Sequence, residues 1–497
     1  MVYNLYLLEQ VMREIIRSQM KIGEVDISKI SFDLDSRDDI PQLLMGLQYI
    51  YVTPDVREKV FDLLETIIPP NVSSKNGRPG MELWKIFVMG TLRLNLNYDY
   101  DRLQEEVNNH HIIRQMLGHS IFDFEEKYRL QTIKDNVSLL TQDVLIKINE
   151  IIVKSGHSLI NNNEKEKENI HGRCDSFVVE TDVHFPTDIN LLFDAIRKMI
   201  QLIAVQCATC KVNLWDESEF DINKIKKLYR KVQNLKKSKS NDVEQRKDQD
   251  EKIKNSHMSY IDLAREYLSK ALFTIKFFSE NLGVCEMHFS EIVRFIVHAY
   301  RQIDQIERRV ILGEKIPHEE KVFSLFEIHT EWISKGKAGV PVELGLNVCV
   351  FEDQYGFILH HEVMQNTSDC EIAINMVKET QKIFPNVSTC SFDKGFYSKS
   401  NKEELDKLLD NCIIPKKGKL LLIDKNIEEG EEFKLYRRKH SAIESAINAL
   451  EVHGLDRCPD HGIDGFKRYV ALAVVARNIQ KIGSIILNNC RNRKKAA

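Results

Sequence analysis

The sequence predicts an α/β protein: a mixed sheet flanked by helices, with a helical N-terminal domain and a long helical insertion. Three observations carry this. After residue 170, short β-favouring runs (CDSFVVETDV, VSTCSF, NCIIPKK) alternate with amphipathic stretches, the pattern of strands covered by helices. Before that point the apolar residues recur at helical spacing. Residues 190–312 also read as almost wholly helical, interrupted by KKSKSNDVEQRKDQDEKIKNS, which has no apolar face and reads as the exposed tip of a helical hairpin.

Residues 1–74 form a helical region that closes on Pro69–Pro70 and the polar, Gly/Pro-bearing NVSSKNGRPG linker. A helix is predicted from near Met81. Through MELWKIFVMGTLRLNLNYDYDRLQEEVNNHHIIRQMLGH the periodicity breaks around Asn95–Tyr100, giving two or three short helices. Residues 75–165 therefore suit a small helical DNA-binding domain, although a bare helical bundle has the same pattern. Lys75, Arg78, Lys85 and Arg93 are its candidate phosphate contacts.

NNNEKEKENIHGR leads into the first strand, where Phe177, Val178 and Val179 sit between polar turns. The following helix has Pro186 near its start and Asp188 as the expected N-cap. Gly336, Gly339 and the EDQYG turn punctuate an antiparallel strand pair. Then come a helix over 368–383, the strand VSTCSF, the helix SKSNKEELDKLLD, the strand NCIIPKK, a helix through RRKHSAIESAINALEVHG and a final helix through GFKRYVALAVVARNIQKIG. The sheet domain is thus expected over 166–485, interrupted at about 200–315 by the helical insertion, with a basic tail at 486–497.

A chain of 497 residues suggests two to four domains at about 100–200 residues each. With 43% apolar and 29% charged residues it has a soluble globular composition, and no apolar run approaches the ~20 residues that span a bilayer. The N-terminus lacks the layout of an export signal, and ten irregularly spaced Cys fit buried thiols in a reducing compartment, so a cytoplasmic location is expected. Cys207 and Cys210 have zinc half-site spacing but no second pair. The formal charge of −4 excludes a globally basic nucleic-acid binder. Contact with nucleic acid must come from local clusters: Lys416, Lys417 and Lys419; Arg437, Arg438 and Lys439; or Arg491, Arg493, Lys494 and Lys495.

One acid stands out. Asp393 follows an apolar strand directly, where a carboxylate is costly to bury but well placed to hold a metal. Asp175 in the first strand and Glu444 in the penultimate helix are candidate partners, since three carboxylates gathered by a mixed sheet suit two Mg²⁺ ions acting at phosphorus. Arg437, His440 and Glu444 are spaced by three and four, sharing one helix face opposite Ile443, Ile447 and Leu450. On that face Arg437 would grip a phosphate and His440 would donate to a leaving oxygen, with pH dependence near neutrality, while Lys439 turns away. Asp182 and Asp188, near Asp175, read more simply as turn or cap residues. Lys335 and Lys337 in SKGKAG suit phosphates or a solvated loop, and Trp332 suits base stacking or strand-edge packing.

The blocks VVETDVHFPTDINLLFDAIR, FEIHTEWISKGKAGVPVELG, FDKGF and RRKHSAIESAINALEVHGLDRC with GIDGFKRYVALAVVARNI resemble DDE-class insertion-sequence transposases, in particular the ISNCY-type group. The resemblance spans roughly residues 75–485 and includes GRPGMELWKIFVMGTLRLN. It implies a ribonuclease-H-like core, two Mg²⁺ ions for which Mn²⁺ substitutes, and metal-dependent strand cleavage and strand transfer at the ends of an insertion sequence. Asp175, Asp393 and Glu444 match the family's three acids in order. Terminal inverted repeats and target DNA are the implied partners, with a homodimer or higher oligomer on DNA, nucleoid-associated, and no membrane. Lys335, Lys337, Arg437, Arg438 and Arg78 are the expected DNA contacts. Where one large transposase group carries Tyr-x2-Arg-x3-Glu-x6-Lys, this chain has Arg437, His440, Glu444 and Glu451; the Glu is kept and the flanking residues differ, which leaves the second-strand processing route open. A nuclease without joining activity and an inactive DNA-binding derivative are the alternatives.

Overall fold

Ile170–Thr181, β-favouring and paired on both sides, is the central strand of a sheet, and the rest of its unit is arranged around it. The computed structural model describes residues 11–17, 19–68, 78–123, 125–160, 169–237, 243–283, 289–334 and 341–496. They divide into two compact units, Met1–Asp182 with Ile333–Ala497, and Val183–Trp332.

The strands of the main sheet, in chain order, are β1 (Ile170–Thr181), β2 (Glu331–Ser334), β3 (Val342–Glu352), β4 (Ile358–Val363), β5 (Val387–Phe392), β6 (Asn411–Ile413) and β7 (Arg457–Cys458); Val11–Met12 and Arg78–Pro79 pair separately. They form a mixed seven-stranded sheet of order β2-β3-β1-β5-β6, with β4 beside β3 and β7 beside β1. β1, β3 and β4 run antiparallel in succession, whereas β5 is parallel to β1 and β6 parallel to β5. The expected EDQYG turn joins β3 to β4. There Asp353 accepts from the N–H groups of Tyr355 and Phe357 at 2.9 Å each, and Gly356 takes φ +82°, a left-handed conformation that suits glycine.

Helices α1 (Ile40–Val52), α2 (Pro54–Glu65), α3 (Leu83–Asn95), α4 (Tyr100–Asn109), α5 (His111–Met116), α6 (Leu130–Val137) and α7 (Gln142–Ile160) precede the sheet. The expected break falls between α3 and α4, where Asn97 has φ 50°. These helices share one hydrophobic core with the sheet and with the last helix, α17 (Gly462–Ala496). Apolar residues around the whole circumference of α3 explain this: every residue of Leu83–Asn95 is buried. α17 is long and apolar enough to cross a membrane by length and composition, which departs from the expectation of no such run, and 72% of its most apolar window is buried within the protein. Gly46 on α1 and Gly483 on α17 let the two backbones meet: a Cβ on Gly483 would lie 1.8 Å from the Gln42 carbonyl oxygen. Asn478 of α17 pins α7 and β4 together, donating to Asn149 Oδ1 (2.7 Å) and the Ile358 carbonyl (2.9 Å) while accepting from the Ile358 N–H (3.0 Å).

The second unit has its own core. It is built on α8 (Asp188–Thr209), α9 (Ser218–Lys237), α10 (Val243–Leu282) and α11 (Ser290–Ile306), with Leu192, Ile196, Ile225, Tyr260, Leu268, Phe295 and Ile303 inside. Gln249 reaches the Leu235 carbonyl and Tyr267 reaches Asp221, so α9 and α10 pair as an antiparallel hairpin; of the charged stretch read as its tip, residues 243–256 belong to α10 itself and 238–242 lie outside the described residues. The unit spans residues 183–332, wider than the interval of about 200–315 read from helical periodicity, because the loops flanking α8 and α11 pack with it. Thr187, not Asp188, caps α8, its Oγ1 accepting from the Asn190 N–H at 3.3 Å. Asp188 instead pairs with Arg309 at 2.6 and 2.8 Å.

Helices α12 (Asp369–Ile383), α13 (Lys399–Leu408), α14 (Leu422–Glu428), α15 (Glu431–His440) and α16 (Ala442–Leu450) complete the first unit. α15 packs on β5 and β6, and α16 on β1.

Candidate active site

The parallel register of β1 with β5 ends on the pair Cys174–Phe392, after which Asp175 continues β1 and Asp393 leaves β5, close enough for their charges to interact. Asp175 is partly buried, and its Oδ1 accepts from the Ser176 N–H at 2.8 Å. Burial, then the negative charges of Asp393, Asp369 and Glu444, push its carboxyl up to about 6 against the opposing pull of that N–H. The three acids expected from the sequence therefore converge electrostatically.

Asp369 is a fourth. It lies in the first turn of α12, and its Oδ1 accepts from Ser176 Oγ at 2.6 Å. Gly395 lets the FDKGF turn pass close by, since a Cβ there would lie 2.9 Å from Asp369 Oδ2. Sequence reading missed Asp369 because an acid in the first turn of a helix is an ordinary helix-start residue.

The helix expected to carry Arg437, His440 and Glu444 without interruption breaks at Ser441. The Ser441 N–H bonds the Arg438 carbonyl (3.3 Å) and the Glu444 N–H bonds the Ser441 carbonyl (3.2 Å), three-residue steps that tighten the turn between α15 and α16. Arg437 donates to the Phe392 carbonyl (3.2 Å) and to Asp393 Oδ1 (3.3 Å), capping the end of β5. Burial would raise the Asp393 carboxyl, but the Lys394 N–H and Arg437 more than offset it and hold it below its ordinary value. Glu444 is exposed in the first turn of α16. Lys439 leans over the Tyr436 ring at 5.3 Å, while Arg438 is exposed.

His440 differs from the expectation of titration near neutrality. It is buried, with Nδ1 3.0 Å from Ser391 Oγ, and burial followed by the Arg437 charge pulls its pKa down to about 4. It is a neutral imidazole at pH 7, and the group poised closest to neutrality at the site is Asp175.

Asp182 lies away from the converging acids, 3.4 Å from Arg457 Nε. Lys335 and Lys337 lie outside the described residues, as do Lys75 and the side chain of Arg78. Lys85 and Arg93, read as phosphate contacts, are core ion pairs: Lys85 lies 3.0 Å from Glu82, and Arg93 bonds Asp460 at 2.8 Å with Tyr100 under its guanidinium. An apolar helix buried on all sides leaves its cations inside, where they must be paired.

Among the described residues, one set of three metal-ligand types brings its donor atoms within 4.8 Å of one another: His119, Asp123 and Glu126. Lys21 already bridges its two carboxylates at 3.2 and 2.8 Å. The oxygens of Asp175, Asp393 and Glu444 do not form so tight a set. All-oxygen donors of this kind fit hard divalent cations. Comparison of the chain with known protein families, with curated proteins and with solved structures gives no match.

Proposed function

We propose that the chain is a DDE-class transposase that cuts and joins DNA at the ends of an insertion sequence, on a ribonuclease-H-like core. The observation that carries this reading is the convergence on Asp175 of three further acids, from the end of β5, the start of α12 and the start of α16; burial, and after it their negative charges, raise Asp175 to about 6. A purely structural cluster of this kind is repulsive; one that receives cations is not. Further support comes from the topology. Three antiparallel strands are followed by two parallel ones, with acids on the first strand, after the fourth of these five strands and on α16, the third helix after the fifth, in the order the sequence resemblance implies.

Asp175, Asp393 and Glu444, with Asp369 beside them, would hold Mg²⁺ or Mn²⁺. When bound, a pair of such ions neutralises charge at the scissile phosphate and activates the attacking water or 3′-hydroxyl. Arg437 fixes the Asp393 carboxylate and presents the remainder of its guanidinium toward the DNA backbone. The buried, neutral His440 anchors the α15–α16 junction on Ser391, which sets where Glu444 stands. The protein would work in the cytoplasm on nucleoid DNA as a homodimer or higher oligomer.

The test is cleavage and strand transfer by the full chain on DNA carrying the inverted repeats that flank its reading frame, in Mg²⁺, Mn²⁺ and EDTA. Metal-dependent nicking at the repeat ends, abolished by Asp175→Ala, Asp393→Ala or Glu444→Ala with DNA binding retained, is the expected result. Nicking without joined product would reduce the assignment to a nuclease, and no cleavage under any metal would remove it.

A further inference from the structure

The connection between α5 and α6 carries His119, Asp123 and Glu126, which the chemistry above does not use. His119 Nδ1 stands 3.8 Å from Asp123 Oδ2 and 3.7 Å from Glu126 Oε2. The residue is only 2% exposed, and its Nδ1 has no hydrogen-bond partner. The other ring nitrogen, Nε2, is engaged with the Tyr128 hydroxyl at 2.6 Å. Both acids are held from behind: Asp123 Oδ2 accepts from the Ser120 N–H at 3.0 Å, and Arg114 donates to the Asp123 and Glu126 carbonyls at 2.6 and 3.2 Å. Lys21 bridges the two carboxylates at 3.2 and 2.8 Å and leaves Nδ1 unmet.

Separations of 3.7 and 3.8 Å are too long for hydrogen bonds but close to the edge of a metal polyhedron, since tetrahedral bonds of about 2.0–2.2 Å place ligand atoms roughly 3.3–3.6 Å apart. A divalent ion would meet all three donors, where the Lys21 ammonium meets two. One imidazole and two carboxylates suit Zn²⁺ rather than Mg²⁺, which takes oxygen donors. Burial, and after it the charges of Arg114 and Lys85, lower the His119 pKa to about 4, so the ring is neutral at pH 7. Those two cations are already engaged, Arg114 on the carbonyls above and Lys85 on Glu82 at 3.0 Å. With Nε2–H donating to Tyr128, the Nδ1 lone pair faces the carboxylates, and a metal-bound imidazole is oriented by its second nitrogen in this way. We propose that His119, Asp123 and Glu126 bind one Zn²⁺, which displaces the Lys21 ammonium and fastens the α5–α6 connection. The Lys21 side chain is 39% exposed, so it has solvent to swing into. This site stands independently of the DNA chemistry proposed above.

The test titrates the metal-free full chain, without DNA, with Zn²⁺ and with Co²⁺ as its spectroscopic stand-in, in a fixed excess of Mg²⁺ that fills all-oxygen sites. Zn²⁺ should bind and raise the melting temperature, and Co²⁺ should give a visible absorption band that depends on His119. His119→Gln should weaken Zn²⁺ binding roughly a hundredfold or more, and Tyr128→Phe, which removes only the bond to Nε2, about tenfold. Lys21→Met keeps an aliphatic stem and removes the competing charge, so it should tighten Zn²⁺ binding about tenfold. Should His119→Gln fail to fold, Glu126→Gln replaces it, since that side chain is 53% exposed. Absence of Zn²⁺ binding, or binding unchanged by His119→Gln and Glu126→Gln, overturns the site. Weaker Zn²⁺ binding by Lys21→Met overturns the exchange of ammonium for metal.

Discussion

Replacing Asp175 by Asn should make the metal-free protein more stable, the reverse of what a well-paired buried acid would do. The folded chain holds the Asp175 proton up to about 6, against an ordinary value of 3.8. For a carboxyl raised on folding, the native state binds the proton more tightly than the unfolded state. Stability therefore falls as pH rises from about 4 to about 6, and the full penalty is present above that. The gap corresponds to about 3 kcal/mol at pH 7.5. Asn keeps the acceptor for the Ser176 N–H and removes a charge disfavoured first by burial and then by Asp393, Asp369 and Glu444. Urea unfolding in EDTA across pH 4 to 8 should show the variant gaining on the wild type with rising pH and matching it near pH 4. Added Mg²⁺ should stabilise the wild type more than the variant. Equal stability of the two proteins at pH 7.5 would refute the argument that these acids crowd one another, and with it the case for a cation site.

Arg437→Ala should lower metal-dependent cleavage about tenfold or more, since it removes a charged hydrogen bond from Asp393, whereas Lys439→Ala should change it little; a cleavage gel under matched DNA occupancy separates the two. Cleavage should decline as pH falls through about 6, where Asp175 takes up its proton, and His440→Gln should leave that midpoint in place because His440 stays neutral down to about 4; a pH–rate profile reads both. Gly483→Ala should cost about 3 kcal/mol or more by thermal melting, because its Cβ has only 1.8 Å to the Gln42 carbonyl oxygen. Deleting residues 75–150 should yield insoluble protein rather than a free catalytic unit, since it strips α3 and the first half of α7 from the core shared with α17; a soluble, cooperatively melting fragment would contradict that packing.

Local signals were enough for most elements. The β-branched run at Phe177–Val179, the EDQYG turn, and the apolar strand that ends on Asp393 all follow from neighbours in sequence, and neighbours fix propensity, periodicity and turn chemistry. The helical character of α9 and α10 was legible for the same reason. Caps and breaks were less so. Thr187 and Asp188 are both good caps, and the choice between them was made by Arg309, 121 residues away from Asp188. At Ser441 the side chain turns back to the Arg438 carbonyl at 2.8 Å, an option that serine always has and periodicity does not reveal.

The sequence by itself determined which residue types were available to the candidate site and on what kind of element each would stand: Asp175 in a strand, Asp393 at a strand end, Glu444 on a helix. Tertiary structure alone decided which of them meet and in what state. Asp369 reaches Ser176 across 193 residues, and Arg93 finds Asp460 across 367. Burial set Asp175 close to neutrality and His440 far from it, although composition gives both as ordinary polar residues. The physical reason is that propensity and hydrophobic spacing act through the chain over a few residues, whereas desolvation and charge act through space, on groups that become neighbours only when the sheet register and the α17 core are in place.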